Sequence, residues 1–210
     1  MAPAEAIRRA GSPDSGRSSD NRFFVPYPTG PLRTLVRAPL LLHRLGLGGL
    51  LPALHLMVLT TRGRKSGLPR HTAIEFRRHG RKIYIISGWG TRPDWYQNLV
   101  TNPQVTAQIG RRAVPARAQV VTDPAEALRA LYLFRRVAPA RYDAVLGAII
   151  EATVNTRTLP DVSAQFTLIR LDLSEGAPPL PPLPANLIWL WPAAALAVVI
   201  LLLGRRAQRA

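Results

Sequence analysis

The stretch Leu59-Thr60-Thr61-Arg62-Gly63-Arg64-Lys65-Ser66-Gly67-Leu68-Pro69-Arg70 carries the residue types of this chain best suited to binding chemistry. It reads as a strand ending in a turn bounded by glycines, which reach backbone angles closed to other residues. In that turn Arg64, Lys65 and Arg70 bring positive charge and Ser66 brings a hydroxyl. Such a set holds phosphate through charge-assisted hydrogen bonds. Lys65 and Lys82 are the only lysines beside 26 arginines, which singles out Lys65 as a point charge. The string is not a P-loop, whose glycines are spaced differently and lead directly into a helix. It suits an anionic cofactor; a solvated hairpin turn is the plain alternative.

Two further constellations lie downstream of the turn. Ile85-Ile86-Ser87 ends a strand and runs into Gly88-Trp89-Gly90, where the tryptophan is either a lid or loop packing. Pro93-Asp94-Trp95-Tyr96-Gln97-Asn98-Leu99 sets a carboxylate, two aromatic rings and an amide on one short helix. Trp95 and Tyr96 suit stacking or core packing, and Asn98 suits a hydrogen bond. Glu75 either shapes a pocket or pairs with a nearby arginine. Without cysteine there is no disulfide, thiolate metal site or cysteine nucleophile, and His43, His55, His71 and His79 lack metal-ligand spacing. No metal is expected.

The elements that must position these residues alternate in the manner of antiparallel strands. Leu56–Thr61, Arg70–Arg78, Arg81–Ser87, Val105–Ile109, Ala113–Val121 and Gln165–Leu173 are the candidates. A short helix is expected over Asp94–Val100. Asp123-Pro124-Ala125-Glu126 supplies a capping acid, a first-turn proline and a reciprocating glutamate for a helix reaching about Val137, and another spans Ala140–Ala152. Strands without βαβ alternation predict a small barrel rather than a Rossmann sheet. Before the barrel, Arg33, Arg37, His43 and Arg44 recur among leucines, as in amphipathic helix lying on the core or on a membrane surface.

Charge is unevenly placed within the formal +16: residues 31–122 hold 15 Lys+Arg against Glu75 and Asp94, whereas residues 123–186 hold six against seven acids. This field attracts a polyanion. Nucleic acid is not expected, because the arginines are dispersed over strands and no binding module is present.

The domain reading is a disordered lead over residues 1–22, an amphipathic helical segment over 23–56, a barrel over 57–173, a Pro-rich linker over 174–186, an apolar helix over 187–204 and a basic tail over 205–210. The prolines from Pro178 to Pro184 read as a stiff spacer that detaches the apolar helix from the barrel. Leu187–Leu203 is an uncharged apolar run of 17 residues with Trp189 and Trp191 at its start and arginines beyond it, read as a C-terminal transmembrane helix. With no signal peptide before it, the barrel is expected on the cytoplasmic side of the cell membrane, held by this single pass.

Taken in order, Leu59 to Arg70, Ile85-Ile86-Ser87 and Pro93-Asp94-Trp95-Tyr96-Gln97-Asn98-Leu99 through Asn102-Pro103 resemble the deazaflavin-dependent nitroreductase family from about Met57 to Val121, and more weakly to Leu173. The resemblance implies a mainly β split β-barrel, related to FMN-binding oxidoreductases, with a few helices and coenzyme F420 as cofactor. That coenzyme carries a phosphodiester and a polyglutamate tail. By the resemblance Arg64, Lys65 and Ser66 meet the phosphate and tail. Arg70, His71, Thr72, Ala73, Ile74 and Glu75 run beside the cofactor, Ile86, Ser87 and Gly88 line the ring, and Asp94, Trp95, Tyr96 and Asn98 complete the site.

The implied reaction is hydride transfer from reduced F420 to a quinone-like or nitroaromatic acceptor, with Ser87, Tyr96 and Tyr142 as candidate proton donors or orienting groups. An FMN enzyme on the same barrel, and a non-catalytic cofactor- or lipid-binding protein at the membrane, are the alternatives. Split-barrel relatives often form homodimers, although no residue here marks a dimer seam.

Overall fold

The computed structural model describes residues 30–150, 152–192 and 196, and for residues 30–35 the backbone alone. The lead over 1–22, the basic tail over 205–210 and most of the apolar run after Pro192 lie outside the described residues.

Strands β1 (Leu56–Arg62), β2 (Pro69–Glu75), β3 (Arg77–His79), β4 (Lys82–Ser87), β5 (Gln104–Ile109), β6 (Arg112–Val120) and β7 (Thr167–Leu173) form one sheet. Its order is β2-β1-β5-β6-β7-β4-β3, and each pairing is antiparallel. The outermost strands, β2 and β3, are joined through Phe76 alone. A sheet whose two edges are one residue apart in the chain must curl until those edges meet, which fits a split barrel. The single strand expected over Arg70–Arg78 is therefore two, broken where the Phe76 N–H leaves the ladder for the His55 carbonyl at 2.9 Å.

Period-two alternation fills the barrel. Met57 and Leu59 of β1, Ile83 and Ile85 of β4, Val105 and Ala107 of β5, and Ile169 and Leu171 of β7 point inward with Phe76 and Leu99. The opposite face of β4 and β7 carries Tyr84 and Leu168, covered by α3 (Pro124–Arg135) and α4 (Pro139–Ile150) through Leu131, Phe134, Tyr142 and Leu146. Asp123 caps α3 as its sequence predicts, accepting from the Ala125 and Glu126 N–H groups at 3.1 Å. Glu126 does not reciprocate at the cap. Its carboxylate instead accepts from the Tyr84 hydroxyl at 2.8 Å and from Arg170 at 2.9 Å, tying the helix to the sheet. Among the described residues the remaining α-helices are α1 (Gly30–Arg44), which lies against β2, α2 (Asp94–Thr101) and the single turn α5 (Leu159–Val162).

The proline-rich segment does not stand off the domain. In Pro178-Pro179-Leu180-Pro181-Pro182-Leu183-Pro184 the leucines recur every third residue, the period of polyproline II, so they share a face. Both are buried. Prolines offer no N–H to a sheet, and polar side chains of β5 meet the two leucines instead. The Thr106 hydroxyl donates to the Leu180 carbonyl at 2.7 Å, and the Gln108 amide oxygen accepts the Leu183 N–H at 3.0 Å. Beyond this strap, the Leu187 N–H reaches the Arg44 carbonyl at 2.8 Å and the Trp191 indole N–H reaches Leu45 at 2.8 Å.

The expected transmembrane helix is accordingly corrected: among the described residues no helix is long and apolar enough to cross a membrane. The single-pass placement in the cell membrane, with the barrel on the cytoplasmic side, rested on that helix and falls with it. The misreading has a physical source. Closely spaced prolines suggest a spacer that frees the apolar run, whereas the PPLPPL repeat glues it to β5 and the first residues of the run dock on the end of α1.

Candidate functional site

The Arg62–Pro69 connection closes β1 onto β2, with the Gly63 N–H donating to the Leu68 carbonyl at 2.9 Å and the Gly67 N–H to the Gly63 carbonyl at 2.7 Å. Gly67 sits at φ +69°, and a Cβ on Gly63 would stand 2.9 Å from the Ser66 hydroxyl and 3.2 Å from the Leu68 carbonyl oxygen. Both glycines are thus required, one by backbone angle and one by close approach. The Arg64 N–H is taken by the amide oxygen of buried Asn98 at 3.0 Å, whose own NH2 donates to the Thr61 hydroxyl at 3.3 Å. Arg64 also spans to Asp94 at 2.8 Å. The turn is therefore welded to α2, and among the described residues only the Lys65 and Ser66 N–H groups of Gly63–Leu68 are left without a protein partner.

Side chains, more than a backbone cradle, face the space above the turn. A cavity of about 840 Å³ is lined by Arg37 and Arg44 of α1, by Arg64, Lys65, Ser66, Arg70, His71 and Thr72, by Asp94, Trp95 and Asn98 of α2, and by Leu183 of the strap. Asp94 is its one carboxylate and is occupied by Arg64; Arg37 and Lys65 have no ion pair among the described residues. A smaller cavity of about 220 Å³ continues from it along β2, sharing Arg37, Leu40, His71, Thr72, Asp94 and Trp95 and adding Val36, Ala73, Ile74, Ile86, Gly88, Trp89 and Pro93. The two make one groove, basic at the turn and apolar at the far end.

His71 stands on both stretches of this wall, its Nδ1 3.0 Å from the hydroxyl of fully buried Thr60. Burial, helped by the nearby His43, lowers its pKa.

Most residues singled out in the sequence meet at this groove: Arg64, Lys65, Ser66, Arg70, His71, Thr72, Ala73, Ile74, Ile86, Gly88, Asp94, Trp95 and Asn98 line it. Four do not. Ser87 is buried and its hydroxyl donates to the Gly90 carbonyl at 2.6 Å, closing the turn that carries Trp89. Tyr96 packs against the barrel core with its ring edge-on to Trp95 at 6.2 Å, and burial raises its pKa. Tyr142 lies in the core beneath α3 and donates to Glu75, while its oxygen accepts from Arg77. Burial first, then Glu75, pushes the Tyr142 phenol up to about 12. The Glu75 carboxylate is held by Arg77 at 3.0 Å and by that phenol, the arginine-paired alternative of its sequence reading.

Two groups of lining residues escape a reading of the sequence. Arg37, Leu40 and Arg44 belong to α1, whose arginine spacing is visible but points equally to the core or a membrane surface. Leu183 is concealed by its proline neighbours.

The model of the F420H(2)-dependent quinone reductase family matches residues 40–156, more than half of the chain. Among solved structures, HutZ, the heme storage protein from Vibrio cholerae, is 15% identical with a TM-score of 0.43, covering 58% of this chain and 83% of that one. An F420-H2 dependent reductase, FDR-A, is 21% identical with a TM-score of 0.40, covering 57% and 94%. General Stress Protein 26 from Bacillus anthracis is 14% identical with a TM-score of 0.37, covering 57% and 79%. At these scores the structural likenesses bear on neither ligand nor reaction.

Proposed function

The chain belongs to the F420H(2)-dependent quinone reductase family and is an F420-dependent oxidoreductase, and from that premise we propose that it reduces a quinone at the apolar end of the groove along β2. The observation that carries this reading is the polarity of that groove. Its basic end offers Lys65, Arg70, Arg37 and Arg44, and its far end offers Ala73, Ile74, Ile86, Trp89 and Trp95. A phosphodiester with a glutamate tail suits the first, and a flat tricyclic ring suits the second.

When bound, the reduced deazaflavin supplies a hydride, two electrons together, and hardly supports single-electron traffic. The protein's part is to bind and orient. Lys65 and Arg70 anchor phosphate and carboxylates, while Asn98 and Arg64 keep the turn in place through α2. Thr72, Ala73, Ile74, Ile86 and Gly88 line the stretch that would take the ring.

A quinone becomes a hydroquinone by gaining, in sum, a hydride and a proton, so that each of its two oxygens ends as a hydroxyl. The hydroxyls of Ser87 and Tyr142 are committed to Gly90 and Glu75. His71 is the titratable imidazole on the groove wall and takes the proton-exchanging role in this reading. Since burial lowers its pKa, the proton-donating imidazolium form fades as pH rises from below the ordinary histidine range, and turnover falls with it.

The test is rapid mixing of the full chain with reduced F420 and then with menadione or a nitroaromatic of similar size. The reading expects reoxidation with menadione at a kcat/KM at least about tenfold higher than with the nitroaromatic. Cofactor binding without turnover on any quinone would overturn it.

A further inference from the structure

We infer that the C-terminal strap completes the cofactor site: by fixing α1 over the groove it presents Arg37 and Arg44 to the anionic tail of the cofactor, and so makes the chain select a tailed deazaflavin over the same chromophore without phosphate and glutamates. The inference deepens the F420 reading above and rests on it.

α1 has little to hold it down by itself. Pro39 lies inside the helix, removing an internal hydrogen bond. Its apolar seat is a small cluster of Leu51, Val58 and Leu183 against which Leu40 and Leu56 pack, so one of the three buried members comes from the strap. The family match begins at residue 40 and ends at residue 156. That span includes Arg44 but neither Arg37 nor the strap.

The strap and the residues just after it hold α1 and the adjoining Leu45 through four contacts. The Nε2 of buried His43 lies 3.0 Å from the Leu183 carbonyl and 3.0 Å from the Gln108 amide, which joins helix, strap and β5 in one buried clasp. Arg44 donates from Nε to the Asn186 side chain at 2.9 Å, which fixes that guanidinium at the mouth of the groove. The Leu187 N–H holds the Arg44 carbonyl at 2.8 Å, and the Trp191 indole holds the Leu45 carbonyl at 2.8 Å. A Cβ on Gly48 would stand 2.1 Å from His43 Nδ1, so the clasp also depends on the bare backbone just after α1.

Charge adds the second half of the case. Arg44 donates to a neutral amide rather than a carboxylate, and Arg37 has no ion pair among the described residues. Their positive charges remain uncompensated on the wall of the larger cavity, which Lys65 and Arg70 also line. An arginine held this way attracts a carboxylate or phosphate without first giving up an ion pair, and its ordering has already been supplied by the strap. The tail-less chromophore has nothing to offer these groups.

The experiment uses the full chain and two probes, F420 with its oligoglutamate tail and the deazaflavin chromophore lacking phosphate and tail, titrated by fluorescence. Leu183→Ala empties the apolar seat without adding charge, and Asn186→Ala removes the Arg44 contact while leaving the core intact. The expected result is that Leu183→Ala weakens the tailed probe about tenfold and Asn186→Ala about threefold, with the tail-less probe shifted less than about twofold. If Leu183→Ala does not fold, as judged by thermal melting, Asn186→Ala and Gln108→Leu carry the test. Equal weakening of both probes reduces the strap to a structural role and overturns the inference, as does unchanged affinity for both. If the unsubstituted chain binds neither probe, it is the cofactor reading itself that fails, a result distinct from either.

Discussion

Two irregular segments flank the same cavity, the Gly63–Gly67 turn and the proline-rich strap, and they reach order by opposite means. The turn is closed by its neighbours in sequence: Gly63 to Leu68, Gly67 to Gly63, with Gly67 supplying a left-handed φ of +69°. The strap has no such internal bonds. Leu180 and Leu183 are held by Thr106 and Gln108, more than seventy positions earlier in the chain. The turn presents charge outward and the strap buries leucines inward, so one should govern ligand affinity and the other the integrity of the wall.

The sharpest way to separate them is at the turn. Lys65→Ala combined with Arg70→Ala removes two groups that have no buried role, and should weaken F420 binding by about 30- to 100-fold, or roughly 2–3 kcal/mol, with little change in melting temperature. A melting point that falls with affinity would erase the contrast. On the strap side, Gln108→Leu strips the Leu183 N–H of its partner and leaves the Leu183 carbonyl to His43 alone. Chemical denaturation should record a loss of about 2 kcal/mol.

Gly67→Val tests whether the turn depends on its backbone angle: a β-branched residue at φ +69° should cost roughly 1–2 kcal/mol in the same assay. Unchanged stability would mean that the turn relaxes freely. The smallest effect concerns His71 between the two segments. Its folded pKa lies below the unfolded one, so the unfolded chain binds more protons as pH falls below about 6.5 and stability declines there, staying level above. Urea midpoints measured across about pH 5 to 7 should show that slope, and His71→Asn should flatten it.

Legibility in the sequence divides along the same line. The basic turn, the Asp94–Asn98 helix and the period-two strands are local patterns, and each occupies its expected place in the fold. The break at Phe76 is not legible, because its cause is a His55 carbonyl and the closure of the barrel, neither visible within the strand. The spacing of Glu126 from Asp123 suggests a reciprocal cap, yet Tyr84 and Arg170 claim its carboxylate. Ser87 and Tyr142 are chemically able donors, but their hydroxyls are taken by the Gly90 carbonyl and by Glu75.

The strap shows how such an error grows. Its prolines form a local pattern, whereas the three-residue period of its leucines matters only against Thr106 and Gln108. Taken for a spacer, the segment lends independence to the apolar run beyond it, and a transmembrane helix is the natural but mistaken consequence. A proline-rich segment with leucines in step is better treated as a face awaiting a partner.

If the basic end of this groove chooses the cofactor, titration of the full chain in parallel with F420 and FMN at low and moderate salt, beside the Lys65→Ala, Arg70→Ala variant, will show it. Tighter F420 binding is expected, with a preference that narrows as salt screens the arginines and collapses in the variant. Equal or tighter FMN binding, or a preference indifferent to both salt and the substitutions, would contradict it.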